Sequence, residues 1–375
     1  MKVLSISTDR KLFENGSAVL SRSIDYAAKM VELHIIVFTL KKEGYIQKQI
    51  NNIYVYPTNS VTQWFYVKDA YALGKKIVKE NSFLAGKSVI STQDPFQTGF
   101  VGVRLSKKFG LPLQVQIHTD FLSDYFSGFF NGIRVIIASY VIPKAKAVRV
   151  VSEVIKDSLK TKYKNLKTQV DVLPVFIDVE NILKEKDESE TKLPPFEYIV
   201  FMASRLEGEK RIRTALDVFK KVLEKFPKVG LIIAGDGSQK NNLKNYAKKI
   251  GVSGNVIFLG WLDDVALYYL KANIFLLTSE YEGYGMTLLQ AGAFGCPIVT
   301  TKVGVAKTNL FKDGQNSFVC SVGDVECLSK SVIDLLEHPE KRQLFKERMQ
   351  VDVRGVAVSR NDYIEKYVSL LEELL

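Results

Sequence analysis

The sequence predicts an α/β protein of two domains, each built from strand and helix units around a parallel sheet. Three observations carry this. Short apolar runs alternate with longer stretches whose apolar residues recur at helical spacing, the pattern of βα repeats. The alternation begins at Lys2–Ser7, breaks in a charged, irregular stretch, and restarts at Tyr198–Ala203. A chain of 375 residues is too long for one ordinary core and suits two domains of about 150 to 200 residues each.

In the first half, the run Lys2–Ser7 reads as a strand rather than a secretory leader, because no apolar core and small-residue cleavage site follow it. A polar loop with Asn15-Gly16-Ser17 leads to helical spacing over Ala18–Met30 and a second apolar strand over Leu33–Leu40. Ile53–Tyr56 is a short strand and Val67–Lys79 a helix. Ser88–Ser91 is a strand ending at Thr92-Gln93-Asp94-Pro95, and Gly99–Phe109 a helix closed by Gly110. Leu113–Ile117 delivers His118-Thr119-Asp120 to a strand's carboxyl end, where open parallel sheets place ligands. Phe121–Phe130 is strongly aromatic and Ile133–Ile142 mostly apolar. Two readings stand: a pair of buried helices, or an aromatic patch flanked by Lys144, Lys146 and Arg149 that rests in a membrane interface. Ala147–Ser152, Glu153–Tyr163 and Val170–Val175 complete this half as strand, helix and strand.

The second half restarts with Tyr198–Ala203, whose loop carries Arg205 and Lys210 ahead of a helix over Ile212–Phe226. Two cations beside a strand end and a helix start can clamp a diphosphate. Gly230–Ala234 and Val256–Leu259 are strands, separated by a helix over Leu243–Ile250; Gly260-Trp261-Leu262-Asp263 follows the second. Ile274–Leu277 then opens the defining stretch, Thr278–Gly304. A loop with Glu280, Glu282, Gly283, Tyr284 and Gly285 turns into a helix carrying Met286 and Gln290, which stops at Gly295-Cys296-Pro297 before the strand Ile298–Thr300. Such a turn leaves backbone N–H groups and the positive end of the helix dipole available to an anion. Glu282 and Gln290, eight residues apart, face one ligand from different depths. Val325–Leu336 and Asp362–Leu375 are helices.

Composition narrows the class. With 46% hydrophobic and 25% charged residues, the chain is globular, and no apolar run is long enough to span a bilayer. The net charge of +11 is uneven: Met1–Val175 has 25 Lys and Arg against 13 Asp and Glu, whereas the remainder has 27 against 28. Solvated lysines account for this, or attraction of the first half to an anionic surface or acceptor. Nucleic acid is not expected, for want of a binding motif. Three cysteines, Cys296, Cys320 and Cys327, lack metal-ligand spacing and an even count, which argues against zinc and disulfides and suits a reducing cytoplasm.

The stretch Thr278–Gly304 resembles the acid-x7-acid signature of glycosyltransferase family 4, the retaining enzymes of the GT-B fold that use nucleotide sugars. Glu282 stands at the first acid, and Ala291, Ala293, Gly295 and Pro297 follow in register. Gln290 replaces the second acid, whose carboxylate holds the donor ribose in the family; an amide still bonds to hydroxyls but without charge assistance. The loop from Gly304 also departs, with Val305-Ala306-Lys307. The resemblance implies two Rossmann-like domains facing across a cleft, with a C-terminal helix crossing back to the first. It implies an acceptor-binding domain over residues 1–175, a connection over 176–195, a donor-binding domain over 196–355 and the crossover helix over 356–375. It further implies that Arg205 and Lys210 hold the donor diphosphate and that Glu282 touches the donor sugar. Gly16, Trp261, Gly283, Tyr284, Gly285, Met286 and Gln290 would line the donor, and His118 the transferred sugar or acceptor, with Asp94 and Asp120 nearby.

The expected function is metal-independent, retaining transfer of a hexosyl unit from a UDP- or GDP-linked sugar to a glycan or lipid-linked acceptor. No cofactor beyond the nucleotide sugar is expected, and the place is the cytoplasm, peripheral on the inner membrane face, in envelope polysaccharide or glycolipid synthesis. A catalytically weak partner subunit, suggested by Gln290, and a sugar-nucleotide epimerase are the alternatives.

Overall fold

A computed structural model describes residues 1–176, 194–262 and 264–375. Most of the connection expected over 176–195 lies outside these, as does Asp263. The chain forms two compact units, Met1–Pro174 with Arg360–Leu375, and Val175–Ser359.

The first unit runs β1 (Lys2–Ser7), α1 (Ala18–Ala28), β2 (Glu32–Val37), β3 (Lys48–Ile50), β4 (Ile53–Pro57), α2 (Tyr66–Glu80), β5 (Ser88–Thr92), α3 (Gln97–Phe109), β6 (Leu113–Ile117), α4 (Phe129–Val141), β7 (Ala147–Val150), α5 (Glu153–Lys162) and β8 (Gln169–Val172). Its sheet has the order β3-β4-β2-β1-β5-β6-β7-β8. Every pair is parallel except β3 with β4, an antiparallel edge pairing. Ser17 caps α1 and Ser152 caps α5, each hydroxyl accepting from a backbone N–H of the first turn. Strand order reverses direction between β1 and β5, and at such a switch point the two carboxyl ends leave a crevice. Gln93 ties those ends together, its Oε1 accepting from Ser7 Oγ at 2.8 Å and from the Thr8 N–H at 2.7 Å.

The second unit runs β9 (Tyr198–Ala203), α6 (Ile212–Lys225), β10 (Val229–Ala234), α7 (Lys240–Lys249), β11 (Val256–Gly260), α8 (Ala266–Lys271), β12 (Ile274–Leu277), α9 (Met286–Phe294), β13 (Ile298–Thr301), β14 (Phe318–Cys320), α10 (Val325–Glu337) and α11 (Pro339–Val356). Its parallel sheet has the order β11-β10-β9-β12-β13-β14. Period-two alternation sorts the strands into two cores. Val200, Met202, Leu231, Ile233 and Leu276 pack with α6, α7 and α10; Ile199, Phe201, Ile232, Phe275 and Leu277 pack with α8 and α9. Here the switch point lies between β9 and β12.

After the second unit the chain returns as α12 (Arg360–Glu372), which buries Tyr363, Ile364, Tyr367, Val368, Leu370 and Leu371 in the first unit. Arg360 pairs with Asp25 of α1, and the Tyr367 ring stacks on Tyr26 at 4.1 Å between centroids.

Two sequence expectations are corrected. Cys320 and Cys327 form a disulfide, with Cα atoms 5.9 Å apart. The end of β14 and the first turn of α10 are joined by a tight turn that brings these thiols together, and the odd count reflects the separate, buried Cys296. The aromatic stretch is not a pair of buried helices. Residues 121–127 are turns, and α4 alone is helical, with Phe129, Phe130 and Ile136 exposed while Ala138 and Val141 face the core. Among the described residues no helix is long and apolar enough to cross a membrane.

Candidate active site

In the second unit, the loop after β9 and the loop after β12 meet at the switch point. Topology therefore brings Lys210 and Glu282 together across 72 residues of sequence: Nζ lies 2.8 Å from Oε1, and each side chain is only 12% exposed. The Ser279 hydroxyl donates to the same carboxylate oxygen at 2.7 Å. The two loops are also bolted through their backbones. Thr278 Oγ1 reaches the carbonyls of Lys210 and Arg211, each at 3.1 Å, and the Glu280 N–H donates to the Glu209 carbonyl at 2.7 Å. The Lys210–Glu282 contact thus sits between two loops fixed to each other by hydrogen bonds.

Gly285, with φ +98°, is the N-cap of α9, and no side chain caps that terminus. The first N–H groups of α9 are thus supplied by Met286 and its successors without a competing side-chain acceptor. Gly304 closes the loop from the other side. Its φ is +51°, and a Cβ there would sit 2.5 Å from the Tyr284 carbonyl and 2.8 Å from Glu282 Cβ. Only glycine lets this chain pass so close to the Glu282 loop, and the Val305 N–H then donates to the Tyr284 carbonyl at 2.7 Å.

Arg205, Gln290, Trp261, Gly283 and Tyr284, also expected to border the donor, lie in the same unit. Arg205 is 65% exposed in its side chain and pairs with Glu209 at 2.7 Å, apart from the Lys210–Glu282 pair. Gln290 lies in α9, where its Oε1 is 3.4 Å from the Tyr269 hydroxyl. That hydroxyl is almost completely buried, and burial pushes its pKa up, so it stays a neutral donor. Trp261 follows β11 and is exposed. Gly283 and Tyr284 lie in the loop ahead of Gly285. Sequence reasoning did not single out Arg211, Glu209, Ser279 or Tyr269. Arg211 has φ +47° and pairs with Glu280 at 3.4 Å; its place directly after Lys210 was the available signal.

The first unit holds Gly16, His118, Asp94 and Asp120. Gly16 lies in the exposed turn ahead of α1. His118 directly follows β6 and is exposed, its Nε2 3.3 Å from Gln116 Oε1. Desolvation, followed by the charges of Arg149 and Arg22, lowers its pKa. Water at the open surface moderates the first cause, but the arginines act in the same direction, and the ring is neutral at neutral pH. Asp94 and Asp120 are engaged structurally. The Asp94 carboxylate accepts from the Phe96 N–H at 2.7 Å ahead of α3, and desolvation raises its pKa. Asp120 Oδ2 accepts from Ser158 Oγ at 2.8 Å. Among the described residues no group of three or more His, Cys, Asp and Glu side chains is arranged to hold a metal ion.

Known proteins match this arrangement in both halves. The family model described as Glycosyltransferase Family 4 matches residues 23–181, and that described as Glycosyl transferases group 1 matches residues 184–351. An alpha-monoglucosyldiacylglycerol synthase of Streptococcus pneumoniae is 30% identical over 227 residues, 56% of this chain and 51% of that protein. A poly(glycerol-phosphate) alpha-glucosyltransferase of Bacillus subtilis is 28% identical over 200 residues, 53% of this chain and 29% of that protein. The match thus spans about half or less of each relative's length. The solved structure of Anabaena HepE in complex with UDP superposes with a TM-score of 0.76 at 18% identity, covering all of both chains. Sucrose-phosphate synthase from Thermosynechococcus elongatus gives 0.77 at 15% identity, covering 100% of this chain and 99% of that one. With both halves matched in order and the two-sheet architecture shared along its full length, the chain belongs to glycosyltransferase family 4 and has the GT-B fold.

Proposed function

We propose that the protein is a retaining glycosyltransferase that moves a hexosyl unit from a nucleotide-diphosphate sugar to a glycan or lipid-linked acceptor, without a metal ion. The observation that carries this reading is the Lys210–Glu282 pair set beside the uncapped N-terminus of α9. Departure of a nucleoside diphosphate builds negative charge on its oxygens while positive charge grows at the anomeric carbon. Lys210, Arg205 and the α9 N–H groups can stabilise the leaving diphosphate, and Glu282 can hold hydroxyls of the sugar while Lys210 is drawn to phosphate. The acceptor then attacks from the face the diphosphate leaves, which gives retention. Trp261, Gly283, Tyr284, Gly285, Met286 and Gln290 would border the nucleotide sugar in the second unit. Gly16 and His118 would do so in the first, with Asp94 and Asp120 shaping the acceptor side through the turns they hold. The domain roles follow: residues 1–175 for the acceptor and 196–355 for the donor.

UDP is the nucleotide to test first, because the HepE structure holds UDP; GDP is the alternative. The S. pneumoniae and B. subtilis relatives, named for a glycolipid and a glycerol-phosphate polymer, support acceptors of envelope glycolipid or polysaccharide type. The exposed apolar residues of α4, together with the positive balance of the first half, support a peripheral seat on an anionic, cytoplasmic membrane face. Calorimetric titration with UDP and GDP in EDTA tests the donor site. Micromolar binding of one nucleotide is expected. Binding only on addition of a divalent metal would end the metal-independent reading. A second reading, a weakly catalytic partner subunit, has one observation in its favour: Gln290 offers the donor an amide already in contact with Tyr269. Binding that appears only in Gln290→Glu would favour it.

A further inference from the structure

The first unit contains a buried cation that, among the described residues, has no acidic partner. Arg149 on β7 is 4% exposed. Its guanidinium donates to Gln116 Oε1 at 2.9 Å, to the Leu173 carbonyl at 3.2 Å and to the Tyr363 hydroxyl at 2.7 Å, and it lies over the Tyr367 ring at 5.3 Å. No carboxylate is among these partners. A buried guanidinium without a counter-ion is costly, and helix docking alone would be served by a neutral donor.

The consequence lies one residue further along the chain of contacts. Arginine only donates and does not lose its proton. The Gln116 amide must therefore turn its oxygen toward Arg149, since the reverse would set two donors against each other. Its Nε2 then donates to Ser91 Oγ at 3.0 Å and Tyr367 Oη at 3.2 Å, both able to accept. The same oxygen, fixed in place, faces His118 Nε2 at 3.3 Å. An oxygen can only accept, so Nε2 must carry the hydrogen, and the neutral ring keeps its lone pair on Nδ1. Among the described residues Nδ1 has no hydrogen-bond partner. The polarity of the ring is thus dictated by a residue that does not touch it.

We propose that Arg149, acting through the Gln116 amide, is a positioning residue that fixes His118 as the Nε2–H tautomer, leaving Nδ1 to accept a hydrogen bond from a substrate hydroxyl. The ligand class follows from the donor inventory: an alcohol of the sugar or acceptor, which can donate, and not a phosphate oxygen or carbonyl, which cannot. This rests on the reading of His118 as a substrate contact, and adds which way its hydrogen bond runs.

The test is nitrogen NMR of the full chain with labelled histidine. The three histidines are assigned by loss of the His118 signals in His118→Asn. The wild type is expected to show Nε2 protonated and Nδ1 bare. Gln116→Leu should give a mixture of tautomers and lower kcat/KM about tenfold, the scale of one misaligned hydrogen bond. Gln116→Glu, whose carboxylate still accepts from both neighbours, should keep the single tautomer. These variants leave Arg149 and its bonds to Leu173 and Tyr363 in place. A wild-type ring protonated on Nδ1, or a single Nε2–H tautomer surviving in Gln116→Leu, overturns the proposal, and the wild-type spectrum decides even if the variant fails to fold. Unimpaired transfer by His118→Ala, when the wild type shows the expected Nε2–H tautomer, would overturn the substrate contact and with it the proposal.

Discussion

On the proposed reading the Lys210–Glu282 pair serves both the fold and the transfer, and substitution can separate the two. Lys210→Met leaves a mostly buried carboxylate whose one remaining partner among the described residues is the Ser279 hydroxyl, which should cost about 1.5–3 kcal/mol of stability and at least about a hundredfold in transfer rate if it removes a leaving-group contact. The double variant Lys210→Met with Glu282→Gln removes both charges. It should recover much of the melting temperature and none of the activity, and calorimetry beside a transfer assay checks both. A double variant as unstable as the single one would mean that the pair is not the cause. How these residues met was legible only by resemblance, because partners 72 positions apart share no local pattern. Gln116 and Arg149 were not legible as a pair. Gln116 occupies the polar phase of Leu113-Gln114-Val115-Gln116-Ile117, and only the register of β6 on β7 sets it opposite Arg149.

Among the elements, α4 bears the plainest consequence. A helix that buries Ala138 and Val141 while leaving Phe130 82% exposed is stable only if docking of its inner face outweighs hydration of its outer one. Lys144 stacks over the Tyr140 ring at 3.8 Å, which puts a cation beside the aromatic surface. Phe129→Ser with Phe130→Ser should reduce co-sedimentation with anionic vesicles at least about tenfold, as expected from the apolar area withdrawn, and leave nucleotide binding unchanged. Equal sedimentation with neutral vesicles or with none would dispose of the membrane seat. Other elements show where periodicity fails. The edge strand β3 is too short to make an apolar run. α11 buries only Phe345, Met349 and Val353 among its charges, so a single narrow stripe marks it. By contrast β1, β9 and β12 stood out because parallel strands buried on both faces read as unbroken apolar runs.

At the scale of the whole molecule the two units answer to different stresses. His34 on β2 is buried against Tyr54, Tyr56 and Phe83, and desolvation lowers its pKa, as it does that of His118. The unfolded chain therefore binds more protons than the folded one below the ordinary histidine pKa of about 6.5. Stability of the first unit should fall as pH drops from about 6.5 toward 5, above the range where most carboxylates titrate. Hydrogen exchange should show protection lost first in residues 1–174 and partly restored there by His34→Phe; uniform loss would refute this. Reduction acts on the other unit. Opening the Cys320–Cys327 link, which joins cysteines seven positions apart, should cost about 2–3 kcal/mol, seen as a lower urea midpoint for residues 194–359 alone. The two-domain plan was readable from length and the restart at Tyr198. The bond between those cysteines was not, since parity counts thiols and says nothing of which turn unites them. The return of α12 to the first unit has one more effect, on biosynthesis. Arg149 is made long before Tyr363 and Tyr367, its partners on α12, so a growing polypeptide carries an incomplete first unit throughout synthesis of the second. The order in which the ribosome builds the halves is therefore the reverse of the order in which they can be finished.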